Sequence, residues 1–280
     1  DLLEASGTAS VNAGDAFRAT ATAALRWNAS GADASGTTME VVDQSYTFGA
    51  GFGNGVQQLD LRNAALVIGD FVSAEGNFSL KRDGGQLTLA GGAQVDADWL
   101  TLGASGVAIT AGVPDGPGLE LSGVEFALVL ASARKDLTRS WTALQAGATS
   151  VALTGVPGVT VSGSNLAVAL NRADKLGDAV VDFATTGFNV ATGDADGRNL
   201  TMATALTRVS GTVEIDLFGF VQVDGSFGFE RTTADLTLAN GDVVADADLM
   251  TVGASDVTAF AGVNGGDDGA VGFTLTQLDF

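Results

Sequence analysis

The residues best suited to chemistry in this chain are oxygen ligands on glycine turns. In TGDADGRN (192–199), Asp194, Asp196 and Asn199 surround Gly197. Alternating oxygen donors on a tight turn suit a hard cation with about six to eight ligands, which makes the stretch a candidate Ca²⁺ site. It lacks the closing glutamate of an EF-hand, and the chain has no RTX-type GGxGxD repeat, so a solvated Asp turn is the competing reading. GVNGGDDGA (262–270) offers Asp267 and Asp268 more weakly, because adjacent side chains on a strand point to opposite faces. VDADW and ADADL place Asp96 with Asp98, and Asp246 with Asp248, on one strand face at spacing two. A charged face that discourages edge pairing is the simpler account of those pairs.

Other chemistry is excluded by composition. There is no His and no Cys, so thiolates, disulfides, histidine triads and ordinary zinc sites are absent. A carboxylate-only hydrolase would want sugar-stacking aromatics, and aromatics make up only 7% of the chain. Trp27, Trp99 and Trp141 are scattered singly, as core fillers are. FGNG (52–55) is followed by no GK[ST] and makes no phosphate loop. No catalytic residue is expected. The formal charge of −20, from 33 acidic and 13 basic residues, repels phosphate backbones and anionic lipid surfaces. Neither nucleic-acid binding nor membrane insertion is expected. With no signal peptide and no run of 18 apolar residues, the segment is expected to be soluble and part of something longer.

The elements that must position these residues are repeated. GASGVAITAGV (103–113) returns as GASDVTAFAGV (253–263) with seven of eleven positions identical. Gly76, Phe78, Leu87 and Leu89 match Gly225, Phe227, Leu236 and Leu238 at an offset of 149, and Asp98, Thr101, Gly103 and Val107 match Asp248, Thr251, Gly253 and Val257 at 150. VVD at 41–43 answers VVD at 180–182, and LSGVEF (121–126) answers LTQLDF (275–280). The chain reads as two copies of one unit, 1–126, divergent toward its start, and 127–280.

The dominant period is two. QLTLAG, GVTVSGSNLAVALN and GTVEIDLFGFVQVDGSFGFE alternate apolar with small or polar residues, and Gly-rich turns separate several runs. In LELSGVEFALVLA the apolar set moves from odd positions (Leu119, Leu121) to even ones (Val124, Phe126), and VGFTLTQLDF shifts between Leu275 and Leu278. A shift recurring in both copies predicts a β-bulge. Only RKDLTRSWTALQA, with Leu137, Trp141 and Leu144, offers a short helix. The fold class expected is all-β: an elongated antiparallel repeat of long strands whose units share a core, as a sandwich-like or solenoid-like rod. A membrane barrel is disfavoured by the lack of aromatic girdles.

SWTALQAGATSVALTGVPGVTVSG (140–163), VVDFATTGFNVATG (180–193) and LTLANGDVVADADLMTVGASDVTAFAGVNGG (236–266) resemble the tandem units of very large surface proteins of Gram-negative bacteria, which often carry RTX-type or cadherin-like modules as well. The resemblance covers nearly all of 65–280. It implies an extracellular location at the bacterial cell surface and an adhesin-like or scaffolding role. The partners expected are neighbouring repeats of the same chain, with self-assembly into filaments as an extension. No cofactor is implied beyond the candidate Ca²⁺. A calcium-dependent glycan or ice-binding module is the alternative reading.

Overall fold

The computed structural model describes residues 1–69, 71–113, 116–175, 177–194 and 196–280; of Val41, Thr186 and Asp246 only the backbone is described. Twelve strands form one antiparallel sheet in which each strand pairs with the next along the chain. They are β1 (Leu2–Asn12), β2 (Phe17–Asn28), β5 (Gln57–Ile68), β6 (Val72–Thr88), β7 (Gln94–Gly112), β8 (Gly118–Ala133), β9 (Ser140–Thr154), β10 (Val159–Ala173), β13 (Leu206–Leu217), β14 (Val221–Thr237), β15 (Val243–Val263) and β16 (Val271–Leu278). The sheet is open, with β1 and β16 at its outer edges. Two segments leave it. Residues 29–56 carry the hairpin β3 (Thr38–Val41) and β4 (Gln44–Thr47), and residues 174–205 carry the helical turn α1 (Phe183–Thr186) and the hairpin β11 (Asn189–Val190) and β12 (Arg198–Asn199).

The all-β antiparallel expectation holds, and the strand order divides into two similar halves, or units. Each unit runs strand, strand, long insertion, then four strands. Units meet through the pairing of β8 with β9, so one sheet passes through both. Residues 126 and 127 are neighbours within β8, and the strand pattern restarts after the loop 134–139. The expected helix at 134–146 is instead that loop followed by β9. Period two decides it: Trp141 and Ala143 are buried on one face and Leu144 lies on the other, while Leu137 is exposed in the loop.

Cross-strand register gives the two faces opposite characters. Leu25, Leu59, Leu80, Leu102, Leu128, Leu144 and Leu170 are directly paired, one on each of seven adjacent strands. The neighbouring row runs from Leu61 and Phe78 through Phe126 and Val168 to Phe229 and Val252. Toward the other strand ends, a third apolar row crosses eleven strands from Phe17 through Leu119 and Ile215 to Leu275.

Both expected phase shifts occur, at Gly123 (φ 56°) and Gln277 (φ 55°). Asn63, Gly106, Asn165 and Asp256 also have positive φ at mid-strand. Each shift turns the next residues over, so the apolar set stays on one face along the whole strand. Gly76 and Gly225 do the same job in the two units, since a Cβ on either would come within 2.7 Å of a methyl of Val107 or Val257.

The insertions cover the other face. Val181, Phe183, Val190, Leu200 and Met202 pack on Leu87, Ala97, Val129, Trp141 and Ala143, which form the main core. Phe48, Phe52 and Val56 cover the start of β1 and the end of β2 in the same manner. The main core therefore draws on β6 to β8 of the first unit and on β9, β10 and the insertion of the second. Asp182 caps α1 by accepting the Thr185 N–H at 3.0 Å.

Candidate functional site

The TGDADGRN turn joins β11 to β12 and lies on the covered face, with Thr192 and Gly193 buried beneath it. Asp194 and Asp196 are exposed, and Ser105 donates to Asp194 Oδ2 at 3.4 Å. The Asn189 amide donates both to Asn199 Oδ1 at 2.9 Å and to the Asp196 carbonyl at 3.1 Å. One of the candidate ligand oxygens, Asn199 Oδ1, is thus engaged in closing the hairpin, together with the Asp196 backbone carbonyl. Asp267 and Asp268 lie in the turn between β15 and β16, where the Asp267 backbone bonds to Asn264 and Ala270. They belong to no strand, and the structure does not bring them to Asp194. Among the described residues, no three acidic side chains gather as a metal site would require.

The repeated Asp pairs find bases. Asp98 takes Arg134 at 2.8 Å and Asp96 takes Lys135 at 3.6 Å, both at the strand ends of the apolar face. Asp248 takes Arg231 at 2.5 Å at the equivalent place. The Arg231 hydrogen bond holds the Asp248 carboxyl below its ordinary pKa. The Asp246 side chain lies outside the described residues. These acids form a paired, charged margin at one strand end of the apolar field.

Two ordered surfaces remain as places for a partner. The first is the apolar face, where among the described residues no insertion lies over the leucine ladder and Leu25 and Leu80 are exposed. Near β1 to β6 it dips into a recess of about 320 Å³ lined by Val11, Ala19, Leu61, Leu66, Ala74 and Phe78. With strands about 4.8 Å apart, three apolar rows across the sheet far exceed the few hundred Å² that monomers usually expose. The second is a hydroxyl ladder on the opposite face. Ser122, Ser150, Ser164, Thr212, Ser226 and Ser255 are directly paired on six adjacent strands. Ser122 bonds Ser150 at 2.7 Å and Thr212 bonds Ser226 at 3.1 Å, while Ser73 and Thr110 make a similar pair outside the ladder.

The sequence reading missed the residues that pin the insertions. Asn28 is the last residue of β2 and Asn171 lies two residues before the end of β10, and both are fully buried. Asn171 donates to the carbonyls of Val181 at 2.8 Å and Thr204 at 3.2 Å; Asn28 donates to Phe52 at 2.7 Å and Ala32 at 2.9 Å. A second pin repeats as well: Gly49 N–H donates to Glu4 at 2.9 Å, and Thr201 N–H donates to Gln145 at 3.2 Å. Burial pushes the Glu4 carboxyl up, but the Gly49 N–H, the Tyr46 hydroxyl and Arg26 outweigh it and hold it below its ordinary value. The available signal was an Asn closing an alternating run just before a stretch without period.

Comparison with known proteins found no matching family model, no matching curated protein and no matching solved structure.

Proposed function

We propose that this chain is a structural repeat segment of a large bacterial surface protein, a stiff acidic body that carries or spaces other parts in adhesion, cell contact or a sheath. The observation that carries the reading is the fusion of two units into one uninterrupted sheet, with the main core formed across their junction. A chain built this way gains length by adding strands, and each junction is as well bonded as a unit's interior. The charged margin and its paired acids keep such an array in solution. Small-angle scattering tests the mechanical part. Eleven spacings of about 4.8 Å across the sheet, with strands such as β9 and β10 of 15 residues at about 3.3 Å each, give a diagonal of about 70 Å, whereas a compact globule of this length measures about 50 Å. A value near 50 Å would overturn the reading. Antibodies to the chain should label intact cells of the organism that makes it; labelling only after lysis would overturn the surface location.

One observation favours the alternative of a ligand-binding module: the hydroxyl ladder presents donors and acceptors at a regular spacing of about 4.8 Å, as a surface for sugar or ordered water would. Glycan retention and thermal hysteresis, each measured in calcium and in EDTA, test it. No effect in either would leave the scaffold reading alone.

A further inference from the structure

Equivalent residues in the two units differ in burial. Leu87 and Leu89 are 1% and 3% exposed, because residues 180–193 of the second unit lie over them; their counterparts Leu236 and Leu238 are each 41% exposed. Thr101 is buried and Thr251 exposed. The glycines make the same point more sharply. A Cβ on Gly103 would run into the Ala191 carbonyl of the covering segment, so only glycine fits there. Gly253 has no such neighbour, its nearest being the Phe280 carbonyl at 3.4 Å, yet it too is glycine. The backbone carries the same asymmetry. Ala90 N–H donates to the Val180 carbonyl and Asp182 N–H to the Thr88 carbonyl, both at 2.8 Å. The turn at 238–242 copies the turn at 89–93, with Leu238 N–H to Asp242 as Leu89 N–H to Ala93. No covering strand pairs with it among the described residues.

We propose that the surface of β14 and β15 around Leu236, Leu238, Thr251 and Gly253 is a receiving site for a further copy of the unit, whose counterpart of residues 174–205 covers it as the second unit's insertion covers the first. The occupant is specified by continuity with the junction already present in the chain. Its core faces the same leucines, threonine and glycine, and its edge strand extends the sheet beyond β16 as β9 does beyond β8. This rests on the scaffold reading and adds to it the contact by which units recognise one another. A binding module for an unrelated ligand would have no reason to copy the glycine and leucines of a covered surface.

The test appends a second copy of residues 127–280 directly after Phe280, the position equivalent to Phe126. The chain has no Cys, so Leu236→Cys provides a single thiol. Its maleimide labelling is expected to be at least about tenfold slower in the extended chain than in the 280-residue chain. A measurement without substitution accompanies it: exchange of the Ala239 N–H, the counterpart of Ala90, should slow at least about tenfold on extension. Unchanged labelling of the Leu236→Cys variant together with unchanged Ala239 exchange overturns the proposal. Leu87→Cys separates this from failure of the scaffold reading, since protection of its thiol in the 280-residue chain reports the existing junction whatever happens at position 236.

Discussion

Replacing Asn171 with Leu should release the second insertion from the sheet. The side chain is 1% exposed, and its amide holds two carbonyls of the insertion, those of Val181 and Thr204. Each bond contributes about 0.5–1.5 kcal/mol net, and a buried carbonyl left unpaired costs about 1–3 kcal/mol more. Leu has nearly the shape of Asn, so little is lost in packing. Two bonds and one carbonyl left unpaired sum to about 2–6 kcal/mol. Removal of the Asn171 Oδ1, which is buried without a hydrogen-bond partner among the described residues, offsets part of it, leaving a net cost of about 2–4 kcal/mol carried by the opening of 174–205 rather than by the whole sheet. Amide exchange reads it directly, because Ala90 and Asp182 N–H bond across the closed junction. Their exchange should accelerate about 30- to 900-fold, at about 1.4 kcal/mol per factor of ten. Asn28→Leu should loosen 29–56 by a similar amount and leave Ala90 and Asp182 unchanged. A change under threefold at Ala90 in Asn171→Leu would refute the idea that this amide pins the insertion.

Other expectations follow from the same geometry. Gly103→Ala should cost about 1–3 kcal/mol in urea unfolding, because the new methyl meets the Ala191 carbonyl, whereas Gly253→Ala should cost less than about 0.5 kcal/mol. The Arg139 hydrogen bonds hold the Asp178 carboxyl below its ordinary value, against a smaller opposing effect of burial. A depressed acid contributes stability that is complete above its unfolded pKa of about 4 and is lost as pH falls through the lower folded value. Acid unfolding below about pH 4 should therefore be shallower in Asp178→Asn, as followed by circular dichroism. Because Asn199 Oδ1 and the Asp196 carbonyl already bond Asn189, exchanging calcium for EDTA should move the melting temperature by less than about 1 °C. Leu102→Ser with Leu144→Ser should lower binding of an apolar dye to the ladder face by at least about twofold, with no loss of strand content.

The strands were legible because their signal is local. Alternation marked most of the long runs, and the shifts in LELSGVEF and LTQLDF located bulges at Gly123 and Gln277 from the sequence of a single strand. The leucine ladder was not legible, although each of its seven members sits in a readable strand. Its existence depends on the register of six pairings, and register is set by turn lengths that period alone does not fix. The helix expected at 134–146 failed for a related reason: Trp141 and Leu144 fall three residues apart on a helical face, but the sheet places them on opposite faces, one under the insertion. The candidate calcium ligands Asp194 and Asp196 lie in the connection between β11 and β12, and Asn199 in β12. What that turn is for depends on Asn189, which no spacing rule links to Asn199 before the β11–β12 hairpin is known.

A single-layer sheet must be stabilised without a second sheet, and this one draws on both faces at different places. Where 174–205 lies, one face is a conventional core and the opposite face carries the middle of the leucine ladder. Toward the other strand ends the same covered side becomes polar, with hydroxyl pairs across strands, while the apolar rows continue behind it. The bulge line is what makes these two halves compatible. Without the shifts at Gly106, Gly123, Asn165 and Asp256, β7, β8, β10 and β15 would present apolar residues to opposite sides above and below mid-strand, and each face would be a mixture. With them, the apolar residues run as one ribbon along one face and the hydroxyl pairs as another along the opposite face. Because the shifts at Gly123 and Gln277 fall at matching places in β8 and β16, the same device sorts the two faces in both halves of the chain.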